Sequence, residues 1–169
     1  QARSFHCSLP GYKISPLKNL ARLAAMTGVG GIWVKDESAR LSLNSFKVLG
    51  GSFAIYRHIK ARLGAEGKQL SFAELTADAV RPQLGDIVFA AATDGNHGRG
   101  VAWSATQLGY ESVIYVHKLT SENRIGAIER NGARVVVVDG TYDDAVRRVA
   151  ADAQKHGWQV ISDTSWPGY

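Results

Sequence analysis

The chain has 169 residues, enough for one sizeable domain or two small lobes, and 45% of them are hydrophobic, as in globular proteins. Its net charge is +5, but the basic residues are scattered, so we interpret the excess as a solvated surface and expect no nucleic-acid binding. A modest positive field could favour an anionic ligand without requiring one. Cys7 is the only cysteine, which excludes an internal disulfide and favours the cytoplasm. We expect no membrane anchor, no signal peptide and no metal site.

The first half of the chain predicts a mixed set of elements. We predict a helix over residues 17–27, a strand over 32–35 and a helix from about 45 to 62 that Asn44 or Ser45 caps. Residues 64–85 have the composition of a connector, with one short capped helix. The sequence therefore predicts two units, residues 1–84 and residues 85–169.

The second half alternates strand and helix in a regular way. The predicted strands cover residues 87–91, 112–116, 134–138 and 158–162, and the predicted helices cover residues 96–108, 122–131 and 141–156. The strands are apolar throughout, which is typical of a parallel sheet buried on both faces. We therefore predict an α/β fold with a parallel, Rossmann-like sheet covered by helices on both faces.

Lys47 is a candidate catalytic residue because it lies at the predicted start of a helix. The positive end of a helix favours a neutral amine, the form that attacks a carbonyl. Gly50 and Gly51 follow within the same helix, where each costs roughly 1 kcal/mol relative to alanine. Something must approach that backbone closely. The alternative for Lys47 is an ordinary surface charge.

A polar turn, Ala92-Thr93-Asp94-Gly95-Asn96-His97-Gly98, joins a strand to a helix. Ligands of such sheets bind beyond the carboxyl ends of the strands, and a helix start suits an anion. Asp163 follows the last strand and is expected at the same edge. Each aspartate has an alternative role as a turn or helix cap. We interpret Arg99, Glu122 and Asn123 as structural.

These segments resemble the fold-type II, tryptophan synthase β-like, pyridoxal-phosphate enzymes. Asn44-Ser45-Phe46-Lys47 is similar to their Ser-Phe-Lys signature, and Gly95-Asn96-His97-Gly98 is similar to their Gly-Asn-His segment. Lys35-Asp36-Glu37-Ser38 resembles the strand and turn before the lysine. The resemblance implies that Lys47 holds pyridoxal 5'-phosphate, that Asn96 faces the ring oxygen, and that Gly95, His97 and Gly98 help bind the cofactor.

Within that family, two segments resemble those of the diaminopropionate ammonia-lyases. One is the sequence around Asp94, and the other is the later segment Asp163-Thr164-Ser165-Trp166-Pro167-Gly168-Tyr169. Pro167 departs from the acidic residue expected in that closing motif. The resemblance implies α,β-elimination of 2,3-diaminopropionate to pyruvate and ammonia. Asp94 would be a second base beside Lys47, and Asp163 would orient the substrate's second amine.

Two alternatives stay open. One is a serine or threonine dehydratase, and the other is a non-catalytic fragment that binds a small molecule. The family's glycine-rich phosphate loop has no match in this chain, which therefore resembles the N-terminal portion of such an enzyme. The resemblance implies a homodimer for the full-length form.

Overall fold

The computed structural model describes residues 1–164, and these residues form an α/β fold. The helices are α1 (Ala2–Ser8), α2 (Ala21–Thr27), α3 (Lys47–Arg62), α4 (Phe72–Leu75), α5 (Arg81–Leu84), α6 (Asn96–Gln107), α7 (Glu122–Glu129) and α8 (Tyr142–His156). The strands are β1 (Leu17–Asn19), β2 (Trp33–Lys35), β3 (Val88–Ala92), β4 (Glu111–His117), β5 (Arg134–Val138) and β6 (Gln159–Val160).

The main sheet has four strands in the order β5-β4-β3-β6, and each neighbouring pair is parallel. The chain runs outward from β3 to β5 and then crosses to β6 on the other side of β3. Such a change of direction opens a crevice at the carboxyl ends of the central strands. The predicted parallel sheet is confirmed, and its topology places the ends of β3 and β6 side by side.

Helices cover both faces of this sheet, as predicted. Phe89 and Ala91 of β3 point into a core shared with α3 and α6, whereas Ala90 and Ala92 point into a second core shared with α8. This alternation follows from the two-residue period of a strand. The larger core includes side chains from both sides of residue 85, so the predicted division into residues 1–84 and 85–169 stays a prediction.

Local sequence signals set several element ends. Thr141 and Asp144 form a capping box at the start of α8, and Gly157 ends that helix with a positive φ of 70°. A second capping box, formed by Ser71 and Glu74, begins α4, the short capped helix predicted in the connector. The predicted cap of α3 is wrong in detail, because the N-cap residue is Phe46 and has no side-chain cap hydrogen bond.

One predicted element is wrong. Leu17–Asn19 is not the first turn of a helix but strand β1, which pairs antiparallel with β2. The helix α2 begins only at Ala21. Pairing with a strand some fifteen residues away along the chain outweighs the local helical preference of leucine and lysine, which is worth only tenths of a kcal/mol per residue.

Close packing of α3 on α6 brings Lys47 to the main sheet. A Cβ placed on Gly100 of α6 would lie 2.9 Å from the Cα of Val48, so only glycine lets the two backbones approach this closely. Gly51 of α3 faces Val101 in the same interface, which confirms the close approach predicted there. Gly50 is exposed, and no described residue lies within 4 Å of a Cβ placed there, so the close approach stays a prediction for that residue.

Candidate active site

A cavity of about 590 Å³ lies beyond the carboxyl ends of the central strands. Its lining residues come from α3, from the turn after β3, from the starts of α6 and α8, from α7, and from the segment after β6. They are Lys47, Thr93, Asp94, Gly95, Asn96, His97, Arg99, Asn123, Arg124, Ala127, Tyr142 and Asp163. The structure therefore brings together the predicted site residues Lys47, Asp94, Gly95, Asn96, His97 and Asp163.

An ion pair joins two of these residues across the cavity. The Nζ of Lys47 donates a hydrogen bond to Oδ2 of Asp163 over 2.5 Å, and the side chains are 38% and 26% exposed. Lys47 begins α3, as predicted. The contact of this amine with a carboxylate was not predicted.

The environment of Asp163 favours its ionised form. Burial by itself would raise the pKa of this carboxyl, but the hydrogen bond from Lys47 and the electrostatic influence of His97 and Lys47 outweigh burial and hold the pKa below its usual value. Asp163 is therefore a carboxylate placed to bind a primary ammonium inside the cavity.

Strained backbone precedes Lys47. Leu41, Ser42 and Asn44 have φ values of 46°, 59° and 56°, a region that residues other than glycine seldom adopt. Each such residue costs of order 1–3 kcal/mol and persists only where surrounding contacts fix it. Buried Arg40 provides such contacts, because its guanidinium donates to Glu37 over 2.6 Å and to the carbonyl of Lys13 over 2.7 Å.

Thr93 fixes the turn that carries Asp94. Its buried hydroxyl accepts hydrogen bonds from the backbone N–H groups of Gly95 and Gly98 over 2.9 and 3.0 Å. Gly95 has a φ of 150°, a conformation that glycine adopts most readily. Gly98 is not among the cavity-lining residues: it is buried, and a Cβ there would lie 2.4 Å from the Thr93 side chain. Its cofactor-binding role stays a prediction.

His97 connects the turn to the segment that carries Asp163. Its Nε2 lies 2.8 Å from the carbonyl oxygen of Ile161 and must donate to it, because a carbonyl only accepts. The side chain is 5% exposed. His97 therefore holds the end of β6 against the start of α6, and it fixes the relative positions of Asp94 and Asp163.

Several site residues were not predicted. Arg99 and Asn123 were interpreted as structural, yet both line the cavity, and the Nε of Arg99 is buried without a partner among the described residues. Arg124 donates to the carbonyl oxygen of Asp94 over 3.3 Å. Burial, together with the nearby Asp163 and Asp94, raises the pKa of Tyr142, which stays protonated. Ligands of such sheets bind beyond the carboxyl ends of the strands, and applying this rule to β4 and β5 as well would have identified the starts of the helices that follow them as parts of the site.

The arrangement fits pyridoxal phosphate. A primary amine that can form an imine, two carboxylates and the polar start of α6 share one cavity large enough for the cofactor ring and an amino acid. Among residues 1–164, no group of histidine, cysteine, aspartate and glutamate side chains could hold a metal ion. In that same part of the chain, no helix is both long and apolar enough to cross a bilayer.

Comparison with known proteins decides the family, because the model for "Pyridoxal-phosphate dependent enzyme" matches residues 9–168. The chain belongs to this family. It is 46% identical to the diaminopropionate ammonia-lyase of Salmonella typhimurium over 98% of this chain and 41% of that protein. A threonine dehydratase of Haemophilus influenzae is more distant, at 29% identity over 79% of this chain and 21% of that protein.

A solved structure from the same family agrees. The diaminopropionate ammonia lyase of Escherichia coli in complex with D-serine superposes with a TM-score of 0.92 at 46% identity, covering 99% of this chain and 42% of that one. The chain thus spans less than half the length of the ammonia-lyases that it matches. Residues 165–169, which carry the rest of the Asp163 motif including Pro167, lie outside the described residues.

Proposed function

We propose that the whole protein catalyses the pyridoxal-phosphate-dependent elimination of 2,3-diaminopropionate. One substrate and one water give pyruvate and two molecules of ammonia, so atoms and charge balance. The observation that carries this proposal is the single cavity in which the Lys47 amine contacts Asp163 beside the turn of Asp94. The 46% identity to an ammonia-lyase, against 29% to a dehydratase, supports the same substrate.

Lys47 would hold the cofactor through its amine, with Asn96 and the backbone of Gly95 and His97 beside the ring. When bound, pyridoxal phosphate accepts the electron pair left on the substrate when its α-proton leaves. The amine of Lys47 would take that proton and could return one. The close packing of α3 on α6 keeps this amine near the turn.

Asp163 would bind the ammonium on the substrate's β-carbon. This carboxylate already binds one primary ammonium in the cavity, that of Lys47, over 2.5 Å. A substrate with a second amine offers Asp163 an equivalent partner, whereas serine or threonine offers only a hydroxyl. An ammonium adds the attraction of opposite charges to its hydrogen bond with the carboxylate, which a neutral hydroxyl does not, so this residue favours the diamine.

Asp94 would serve as a second base. It reaches the cavity from the end of β3, whereas Lys47 reaches it from α3, so the two proton acceptors approach the substrate from different elements. Two differently placed bases can remove the α-proton from both enantiomers. The E. coli relative binds a D-amino acid, D-serine, which supports a site that accepts this configuration.

Asp94→Asn in the whole protein should impair one enantiomer far more than the other. The amide keeps the size of the side chain but cannot take a proton, so we expect a loss of roughly 10²–10⁴-fold in kcat for one enantiomer. Pyruvate formation from D- and L-diaminopropionate measures the effect. An equal loss of kcat with both enantiomers would contradict the proposal that Asp94 and Lys47 each remove the α-proton from a different enantiomer.

Asp163→Ala should weaken binding of diaminopropionate more than binding of serine. Loss of a carboxylate–ammonium contact costs about 1.5–3 kcal/mol, or roughly ten- to a hundredfold in affinity. Substrate titrations of the cofactor absorbance would measure both affinities. Unchanged affinity for diaminopropionate, or an equal loss for serine, would show that Asp163 does not bind the second amine.

Two alternatives are separated by simple assays. A dehydratase would release ammonia from serine or threonine faster than from diaminopropionate when the substrates are assayed side by side. A non-catalytic fragment would show no lysine-dependent absorbance band after addition of pyridoxal phosphate. The homodimer, the cytoplasmic location and the division at residue 85 remain predictions.

A further inference from the structure

His117, the last residue of β4, contacts the side chain of Asp94. Its Nε2 lies 3.2 Å from Oδ1 of Asp94, and the two side chains are 21% and 62% exposed. The sheet register explains the contact, because Ala92 of β3 pairs with Tyr115 of β4. Two residues further along the chain come Asp94, in the turn just beyond β3, and His117, the last residue of β4, so the two lie side by side at the same edge of the sheet.

The backbone decides which nitrogen of His117 carries the proton. The N–H of Leu119 points at Nδ1 over 3.2 Å. A backbone N–H can only donate, so Nδ1 must be the unprotonated, accepting nitrogen. The proton of the neutral ring is then on Nε2, the nitrogen that lies 3.2 Å from Oδ1 of Asp94. A fixed tautomer makes His117 an oriented donor rather than a freely rotating charge.

Asp94 is thereby held at two points. Nε2 of His117 contacts Oδ1 of its side chain, and Arg124 donates to its backbone carbonyl oxygen over 3.3 Å. An exposed aspartate would otherwise sample several rotamers, and a base must lie within hydrogen-bond reach of the proton that it removes. With Oδ1 held by His117, Oδ2 is the oxygen that takes a proton.

We propose that His117 is a positioning residue that orients Asp94 for the enantiomer whose α-proton Asp94 removes. This inference rests on the proposed function, in which Asp94 is one of two bases. The proton moves from the substrate's α-carbon to Oδ2 of Asp94, while the Nε2–H of His117 stays on the ring. His117 does not touch the substrate.

The first test compares His117→Phe with His117→Gln in the whole protein loaded with pyridoxal phosphate. Phenylalanine fills similar space without an N–H, whereas the glutamine amide can still donate to Asp94. We expect His117→Phe to change the ratio of kcat/KM for the two enantiomers by about tenfold, against the enantiomer that Asp94→Asn impairs, and His117→Gln to restore most of that ratio. Partial misfolding lowers both activities together, so the ratio is unaffected by it.

A second test observes the tautomer without measuring activity. Nitrogen-15 NMR of histidine-labelled protein, with the spectrum of His117→Gln identifying the signals of residue 117, should show protonated Nε2 and unprotonated Nδ1 at neutral pH. The opposite tautomer would overturn the proposal, because Nε2 could then not donate to Asp94.

Combined variants separate failure of this inference from failure of the proposed function. If Asp94→Asn leaves the ratio of kcat/KM for the two enantiomers unchanged, Asp94 is not a base selective for one enantiomer. The role of Asp94 in the proposed function is then wrong, whichever tautomer His117 adopts. If Asp94→Asn changes the ratio but His117→Phe does not, the inference about His117 is wrong. If the inference is right, adding His117→Phe to Asp94→Asn should change the ratio no further.

Discussion

Lys47→Ala should remove both the visible absorbance band of lysine-bound pyridoxal phosphate and the elimination activity. In the proposed function Lys47 provides both the amine that holds the cofactor and a base on α3, and alanine provides neither. Loss of a general base alone typically costs 10²–10⁴-fold in rate, and loss of the cofactor's attachment adds to it. Absorbance scans after cofactor addition and pyruvate assays with each enantiomer measure the two effects separately.

Lys18→Ala is the matched control. Lys18 also forms a 2.5 Å ion pair with an aspartate, Asp36, but it lies on β1 and not in the cavity. Removing it changes the net charge by the same amount and should leave the absorbance band in place. A band of equal strength in Lys47→Ala would show that another amine holds the cofactor, and the proposed function would then need a different lysine.

The second half of the chain was predicted well because its signals are local. A capping box and a terminal glycine bound α8, and β5 contains a run of valines, so the boundaries of these two elements follow from neighbouring residues. The prediction of a helix where β1 lies was wrong because the pairing partner of β1, strand β2, lies beyond α2. No residue within β1 indicates that pairing. Local helix preference predicts secondary structure poorly for a segment of only three exposed residues such as β1.

The candidate site was predictable only in part. Lys47, Asp94 and Asp163 follow from helix starts and strand ends, which a sequence displays. The ion pair between Lys47 and Asp163 spans 116 positions and depends on how tightly α3 packs on α6, which only coordinates show. His117 could have been found from the sheet, since it ends the strand beside the one that precedes Asp94.

Gly100→Ala should destabilise the fold and displace Lys47 from the turn. The new Cβ would lie 2.9 Å from the Cα and 3.0 Å from the backbone N of Val48, and 3.3 Å from the carbonyl carbon of Lys47. Backbone cannot rotate away as a side chain can. Overpacking of this kind costs about 1–3 kcal/mol, which outweighs the gain of roughly 1 kcal/mol from alanine's helix preference. Thermal unfolding and cofactor titration measure the two consequences.

Gly50→Ala separates close packing from helix preference, because Gly50 lies in α3 with open space around it. Here alanine gains helix stability without a clash, so the melting temperature should rise, opposite in sign to the effect of Gly100→Ala. Equal shifts in the two variants would show that α3 can move away from α6 at little cost. The position of Lys47 would then depend on the strained loop before it rather than on the contact between these helices.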